Sequence, residues 1–185
     1  MNAEQETFAV IIGEIQRELP LIEVAPGLRI AVLNILGDTE LVEACARDME
    51  IKLQDVSFDM LVTAEAKSIP LIHALSSRIS KPYIVLRKSY KLYMGQSIEA
   101  ETLSITTGKP QKLILDEKDR KLAEGKRIVL IDDVISTGST LNGMRKVMEI
   151  AGSEVVAEAA VFTEGDAEKW KEIIAIGHLP LFMDD

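Results

Sequence analysis

A chain of 185 residues with 47% hydrophobic content is the size of one ordinary globular domain, with enough apolar material for a two- or three-layer core. Its formal net charge of −9 excludes a broad footprint on nucleic acid, which needs a basic face, so any phosphate handled here belongs to a small ligand at a local site. Cys45 is the single cysteine and no apolar run approaches bilayer length, which together predict no disulfide framework, no membrane partner and a reducing, cytoplasmic setting.

In the first segment, MNAEQETFAVIIGEIQREL, Phe8, Ile11, Ile12, Ile15 and Leu19 recur at helical spacing, which predicts an amphipathic helix rather than a signal peptide. LRIAVLNIL, residues 28–36, has the β-branched content of a strand, and Thr39 is the expected cap of a helix running to about Leu53. FDMLVTAEA gives a buried strand into a turn, IPLIHALSSRI a helix with Pro70 near its first turn, and KPYIVLRK another strand. Residues 89–115 break this alternation: two short alternating runs flank Gly108, Lys109 and Pro110, as in an extended loop leading into a hairpin that could serve as a lid.

DEKDRKLAEG reads as a polar helical turn ended by Gly125, followed by a strand over 127–131 and a helix from Leu141 through Ala151. The strand EVVAEAAVF, a short helix around 167–174 and the apolar segment LPLFM complete the chain. There is no internal repeat or linker, so residues 1–185 are expected to form one α/β domain, a central, mainly parallel sheet flanked by helices.

The chemistry concentrates in RIVLIDDVISTGSTL, residues 127–141. Two adjacent carboxylates at the end of a buried strand are costly unless hydroxyls or cations meet them. The segment between Ile131 and Leu141, the two aspartates included, is expected to be a strand-to-helix turn at the carboxyl edge of the sheet, where open α/β folds bind ligands. Gly138 allows positive φ there, and Ser136, Thr137, Ser139 and Thr140 add hydroxyls at a helix N-terminus, which together cradle a phosphate dianion. Asp132 and Asp133 then face a neutral or cationic part of the same ligand, such as vicinal sugar hydroxyls or a hydrated magnesium ion; the inferred ligand is a ribose 5-phosphate unit.

VLIDDVISTGST, residues 129–140, resembles the phosphoribosyl pyrophosphate (PRPP) motif of the type I phosphoribosyltransferases: a hydrophobic strand, an acidic pair and a small-residue loop with Thr-Gly. VTAEAKSIP, residues 62–70, resembles that family's pyrophosphate loop, which implies PRPP contacts from Glu65, Ala66, Lys67 and Ser68, with Lys67 as the cation. LRKSYKLYMG, residues 86–95, is similar to the Arg-Lys-x-x-Lys segment of the adenine and xanthine branches and implies that Arg87, Lys88 and Lys91 meet pyrophosphate oxygens.

The resemblance, over residues 59–162, implies a purine phosphoribosyltransferase of purine salvage with magnesium as cofactor, held by Asp132 and Asp133 directly or through water or PRPP. It further implies a homodimer, a small N-terminal hood over residues 1–38 on the base side, and a lid over residues 89–115 that excludes water. Asp132 and Asp133 would be its catalytic residues, favouring positive charge on the sugar as pyrophosphate leaves.

Some positions depart from the family pattern. Where adenine-specific members carry a lid glutamate, the stretch SITTG places Thr106, a feature shared with xanthine-type relatives. Ile30 and Ala31 stand where adenine enzymes have an aromatic residue and an arginine. Glu99 and Glu101 read as a solvated hairpin face, and His73 and His178 as structural. Two alternatives accompany the transferase: a PRPP-sensing regulator on the same fold, disfavoured by the negative charge and the lack of an added DNA-binding domain, and a metal-dependent sugar-phosphate hydrolase.

Overall fold

The computed structural model describes residues 5–103 and 110–183; Thr106, Gly108 and Lys109 lie outside the described residues. The first segment is a β-hairpin and not the expected helix. β1 (Thr7–Ile12) pairs antiparallel with β2 (Ile15–Ala25), Phe8 opposite Leu19 and Ile12 opposite Ile15. The apolar run fits both periods, and period two prevails: Val10, Ile12, Leu19 and Leu21 are buried, while Ile11 is 70% exposed. Gly13 opens the two-residue turn at φ +57, a left-handed conformation foreign to a helix interior. β3 (Leu28–Ala31) pairs with β2 and stops short of the strand expected over 28–36, because Leu33 and Ile35 turn into the core from irregular backbone.

α1 (Thr39–Leu53) has the expected span, but Asp38 caps it, accepting the Leu41 N–H at 3.1 Å; Thr39 is its first helical residue. The same carboxylate receives Arg17 of β2 at 2.7 and 3.0 Å, which holds it below the ordinary carboxylate range and ties the hairpin to the helix. β4 (Met60–Ala64) is buried at every position, as a strand covered on both faces must be. α2 (Ile69–Ile79) follows with Pro70 in its first turn, then β5 (Tyr83–Leu86).

A 3-10 turn at Leu92–Met94 leads into the expected hairpin of β6 (Ile98–Leu103) and β7 (Pro110–Leu115). Arg87 and Ile114 exchange backbone hydrogen bonds at 2.8 Å, which joins β7 to the end of β5. On the exposed face of the hairpin Lys112 lies 3.0 Å from Glu99 and 3.7 Å from Glu101, in keeping with a solvated pair of acids.

After α3 (Glu117–Ala123), β8 (Arg127–Ile135) continues beyond the expected end at Ile131, so Asp132 and Asp133 are strand residues and not part of the turn. α4 (Ser139–Ile150) follows, and the reason for the longer strand is its partner β9 (Glu154–Glu164): pairing of Asp132 with Ala160, Val134 with Phe162 and Ile135 with Thr163 keeps the backbone extended. The expected short helix is only a 3-10 turn, Ala167–Trp170. The region after it is a strand, β10 (Ile174–Leu179), then β11 (Phe182–Met183). Gly177 obscures β10 in the sequence, yet is needed there because an added Cβ would lie 2.9 Å from the Phe162 ring.

The central sheet has the order β10-β9-β8-β4-β5 with every neighbour pair parallel, and β1-β2-β3-β11 forms a second sheet. Alternate residues of the central strands serve two cores. Leu61, Val129, Ile131, Ala159 and Val161 pack toward α1, α2 and the second sheet. Met60, Val62, Ile128, Leu130 and Ala160 pack toward α4 and the β6-β7 hairpin. No helix among the described residues is long and apolar enough to cross a membrane.

Gly13→Val should cost the N-terminal hairpin about 1–2 kcal/mol, since a β-branched residue is strained at this φ. In amide hydrogen exchange, β1 and β2 should lose protection while β4 and β8 keep theirs; unchanged exchange in β1 and β2 would show that the turn does not depend on the glycine.

Candidate functional site

Parallel strands end together at one edge of the sheet, and β4, β8 and β9 deliver three loops there. Asp132 and Asp133 lie near the end of β8, with Asp132 only 8% exposed. Ser68, at the start of α2, brings its hydroxyl 3.1 Å from Asp132 Oδ1 and 3.4 Å from Asp133 Oδ1. Lys67 Nζ lies 3.9 Å from Asp133 Oδ2 and donates to the Leu33 carbonyl at 3.1 Å, so this lysine spans from the acid pair to the chain leaving β3.

The acid pair carries the electrostatic tension of the site. Burial foremost, and the neighbouring Asp133 charge next, push the Asp132 carboxyl well above the ordinary carboxylate range, against the Asp133 N–H and the Ser68 hydroxyl, which favour its charged form. A cation or a set of ligand hydroxyls placed here relieves that tension.

Beside the pair, residues 136–138 turn the chain into α4, with Gly138 at φ +80. No side chain caps Gly138 as the helix N-cap; Thr137 Oγ1 accepts the Ser139 N–H at a long 3.4 Å. The helix start is thus a collection of N–H and hydroxyl groups suited to an anion. It lines a cavity of about 260 Å³ that also includes Ser136, Thr137, Ser139, Thr140, Lys88 and Asp132. An adjoining cavity of about 360 Å³ is walled by residues 30–33, by Glu65, Ala66, Lys67 and Ser68, and by Asp132, Asp133, Lys88 and Glu164.

The structure therefore gathers most of the candidate residues around two adjoining cavities and sets two apart. Arg87 and Lys88 are consecutive just beyond β5 and face different clefts. Lys88 faces the acid pair, whereas Arg87 donates to Glu65 Oε2 at 2.6 Å and lines a separate cleft of about 980 Å³ with Tyr93 and Asp116. Glu65, whose peptide bond to Ala66 is cis, also accepts the Lys88 N–H, so it touches both sides. Lys91 precedes the Leu92–Met94 turn and lines none of these cavities.

Glu164 is the wall residue that sequence reasoning missed. It is buried at the end of β9 and faces the Ser136 hydroxyl, and burial raises its carboxyl above the ordinary range. The available signal was an acid close behind an apolar strand, as with Asp132, but Thr163 separates Glu164 from the expected strand end at Phe162. His178 is structural: Nδ1 meets Thr163 Oγ1 at 2.9 Å and Nε2 meets the Gly165 carbonyl at 3.1 Å. His73 stands edge-on to the Tyr83 ring.

Residues 32–177 match the phosphoribosyl transferase domain family. The chain belongs to that family. The match begins where the chain leaves β3 and includes the acid pair, the 136–140 loop, Lys67, Lys88 and Glu164. This phosphoribosyltransferase domain is 36% identical over 120 residues to the hypoxanthine/guanine phosphoribosyltransferase of Methanococcus voltae, covering 64% of the chain and 60% of that relative. It is 24% identical over 180 residues to the purine biosynthesis transcriptional repressor PurR of Bacillus subtilis, covering 95% of the chain and 62% of the repressor. The chain thus spans only about three fifths of either relative's length. Its fold is that of the adenine phosphoribosyltransferase from Thermoanaerobacter pseudethanolicus, with a TM-score of 0.72, 21% identity and coverage of 86% and 95% of the two chains.

The raised Asp132 carboxyl predicts a pH dependence of stability. The unfolded chain releases this proton at ordinary carboxylate pH while the folded chain keeps it, so the folded state binds more protons and stability falls as pH rises above that range. Asp132→Asn removes the penalty: the ligand-free variant should be more stable than the wild type near about pH 8, by about 1 kcal/mol or more, with the gap closing toward about pH 4. Coincident melting curves across that range would show that Asp132 carries no such cost.

Proposed function

We propose that the protein is a purine phosphoribosyltransferase, transferring the phosphoribosyl group of PRPP to a purine base with release of pyrophosphate. The observation that carries the reading is the juxtaposition, around two adjoining cavities, of an acid pair joined through Ser68 with Asp132 buried, a helix N-terminus without a side-chain cap, and two lysines. In this reading the 5-phosphate rests on the N–H and hydroxyl groups of residues 136–140. The ribose hydroxyls donate to Asp132 and Asp133, and the pyrophosphate lies along residues 65–68 toward Lys67 and Lys88.

The donor set suits magnesium shared with the substrate. Two carboxylates converge, and among the described residues no group of three acid, imidazole or thiol side chains could hold an ion alone. Magnesium favours one or two carboxylates with water and phosphate oxygens completing its shell. When bound it would neutralise charge on the departing pyrophosphate. The chain's own contribution is positional and electrostatic. Asp132 and Asp133 favour positive charge developing on the sugar ring, and Lys67 and Lys88 draw the leaving group to the opposite side. In this reading the β6-β7 hairpin acts as the lid that keeps water from the activated carbon. Residues 30–33, on the hood side, form the wall against which the base is proposed to lie.

A homodimer and a cytoplasmic location belong to the same proposal. Leu92 and Tyr93, 94% and 71% exposed beside Arg87, offer an apolar surface for the second copy. A second reading, a PRPP-binding regulator without turnover, is favoured by the alignment to the Bacillus subtilis repressor over 95% of this chain. The hydrolase alternative has no comparable support.

Pyrophosphate release from PRPP and magnesium, followed with adenine, guanine, hypoxanthine, xanthine, orotate or no base, separates these readings. Release should depend on a purine and should fall about hundredfold or more in Asp132→Asn combined with Asp133→Asn. PRPP binding without release for any base would replace the transferase with the regulator, and base-independent release of phosphate would favour the hydrolase.

A further inference from the structure

The chain contains a single tryptophan, and the proposed reaction makes no use of it. Trp170 ends the Ala167–Trp170 turn after β9 and is 9% exposed. Its indole Nε1 donates to the Glu164 carbonyl at 3.1 Å, which anchors the ring to the end of β9. The far edge of the ring reaches the loop before α4, where a Cβ added to Gly138 would lie 2.7 Å from Cη2. Its neighbour Lys169 donates to the Thr137 carbonyl at 3.3 Å, with Nζ 4.3 Å from the indole centre. On the cavity side, Glu164 faces the Ser136 hydroxyl. Two consecutive loop residues, Thr137 and Gly138, are therefore backed by one short segment, residues 164–170, which also places Glu164 against Ser136.

This arrangement has a chemical use. A loop that binds an anion through backbone N–H groups loses affinity if it must first be ordered, and a rigid support removes that cost before the ligand arrives. Gly138 at φ +80 is the position most in need of support, because glycine is the most mobile residue when nothing packs on it. An indole held by its own hydrogen bond is a stiff platform. Lys169 bonds the loop through a carbonyl, on the side of the peptide away from its N–H groups.

We propose that Trp170, assisted by Lys169, is a positioning residue for the phosphomonoester end of the ligand, acting through the backbone of residues 136–138. The proposal rests on the reading of residues 136–140 as the 5-phosphate site, and it makes the tryptophan an intrinsic reporter of that end of the cavity. Removing the platform weakens ligands that carry a 5-phosphate and spares those that occupy only the pyrophosphate end near Lys67.

The test uses the full chain with ribose 5-phosphate and inorganic pyrophosphate plus magnesium as separate probes. Ribose 5-phosphate should give a saturable change in wild-type tryptophan fluorescence. By calorimetry, Trp170→Leu should bind ribose 5-phosphate about tenfold or more weakly, equivalent to 1.4 kcal/mol, while its pyrophosphate affinity stays within about twofold of wild type. Trp170→Phe, which keeps a ring and loses the Nε1 donor, should fall between the two, and Lys169→Ala should show a smaller loss in the same direction. In turnover, the leucine variant should raise KM for PRPP with kcat little changed.

Unaltered ribose 5-phosphate affinity, equal loss of both probes, or no binding of ribose 5-phosphate by the wild type would overturn the proposal. If Trp170→Leu does not fold, wild-type affinity in both Trp170→Phe and Lys169→Ala overturns it. Absence of turnover with every base, alongside the selective loss of ribose 5-phosphate binding, would sink the transferase reading and leave the positioning role standing.

Discussion

Asp132 is removed from water beside a second carboxylate, and much of the edge proposed to bind ligand is arranged around the consequences. Extended pairing with β9 fixes both aspartates in β8 rather than leaving them to turn outward in a loop. That rigidity prevents the acids from escaping their mutual repulsion by moving into solvent. The protein answers with Ser68, whose hydroxyl approaches both carboxylates, and with Lys67, one residue earlier in the same loop. The remaining tension is relieved when something cationic or rich in hydroxyls arrives, which is how a destabilised group becomes a binding group.

The surrounding architecture keeps this edge in place. The central sheet is covered on both faces, so its strand ends are the accessible rim. The N-terminal hairpin is fastened to α1 by Arg17 on the Asp38 cap, and Phe182 packs edge-on against Phe8 from the far end of the chain. Lys67 reaches to the Leu33 carbonyl, linking the loop after β4 to the chain leaving the second sheet. The wall formed by residues 30–33 and the acid pair are thus parts of one mechanical unit.

Charge is distributed with similar economy in a protein of net charge −9. Arg87 is committed to Glu65, which raises the guanidinium's hold on its proton and leaves Lys88 as the cation of that segment facing the acid pair. Glu65 does this sorting just beyond the end of β5: its carboxylate holds the Arg87 guanidinium and accepts the Lys88 N–H, so a basic pair in sequence becomes two separate basic positions in space.

Local pattern determined much of this protein. The buried runs of β4 and β8, the proline-started α2, the glycine-bearing loop before α4 and the adjacent aspartates are written in short stretches whose physics is local: burial on both faces, fixed φ, positive φ and like charge. They sufficed for the parallel α/β class and the pairing of β6 with β7, and they drew attention to the stretch proposed as the site. Tertiary structure decided whatever depended on a partner distant in sequence. The N-terminal apolar run fits a helix or a strand until Phe182 and α1 cover one face of it. The length of β8 is set by β9, the place of β10 by the Phe162 ring over Gly177, and the separation of Arg87 from Lys88 by Glu65. The approach of Trp170 to Gly138 could not be read from the sequence, because a contact between residues 32 apart leaves no periodicity; only the path of the folded chain brings an indole beneath a glycine.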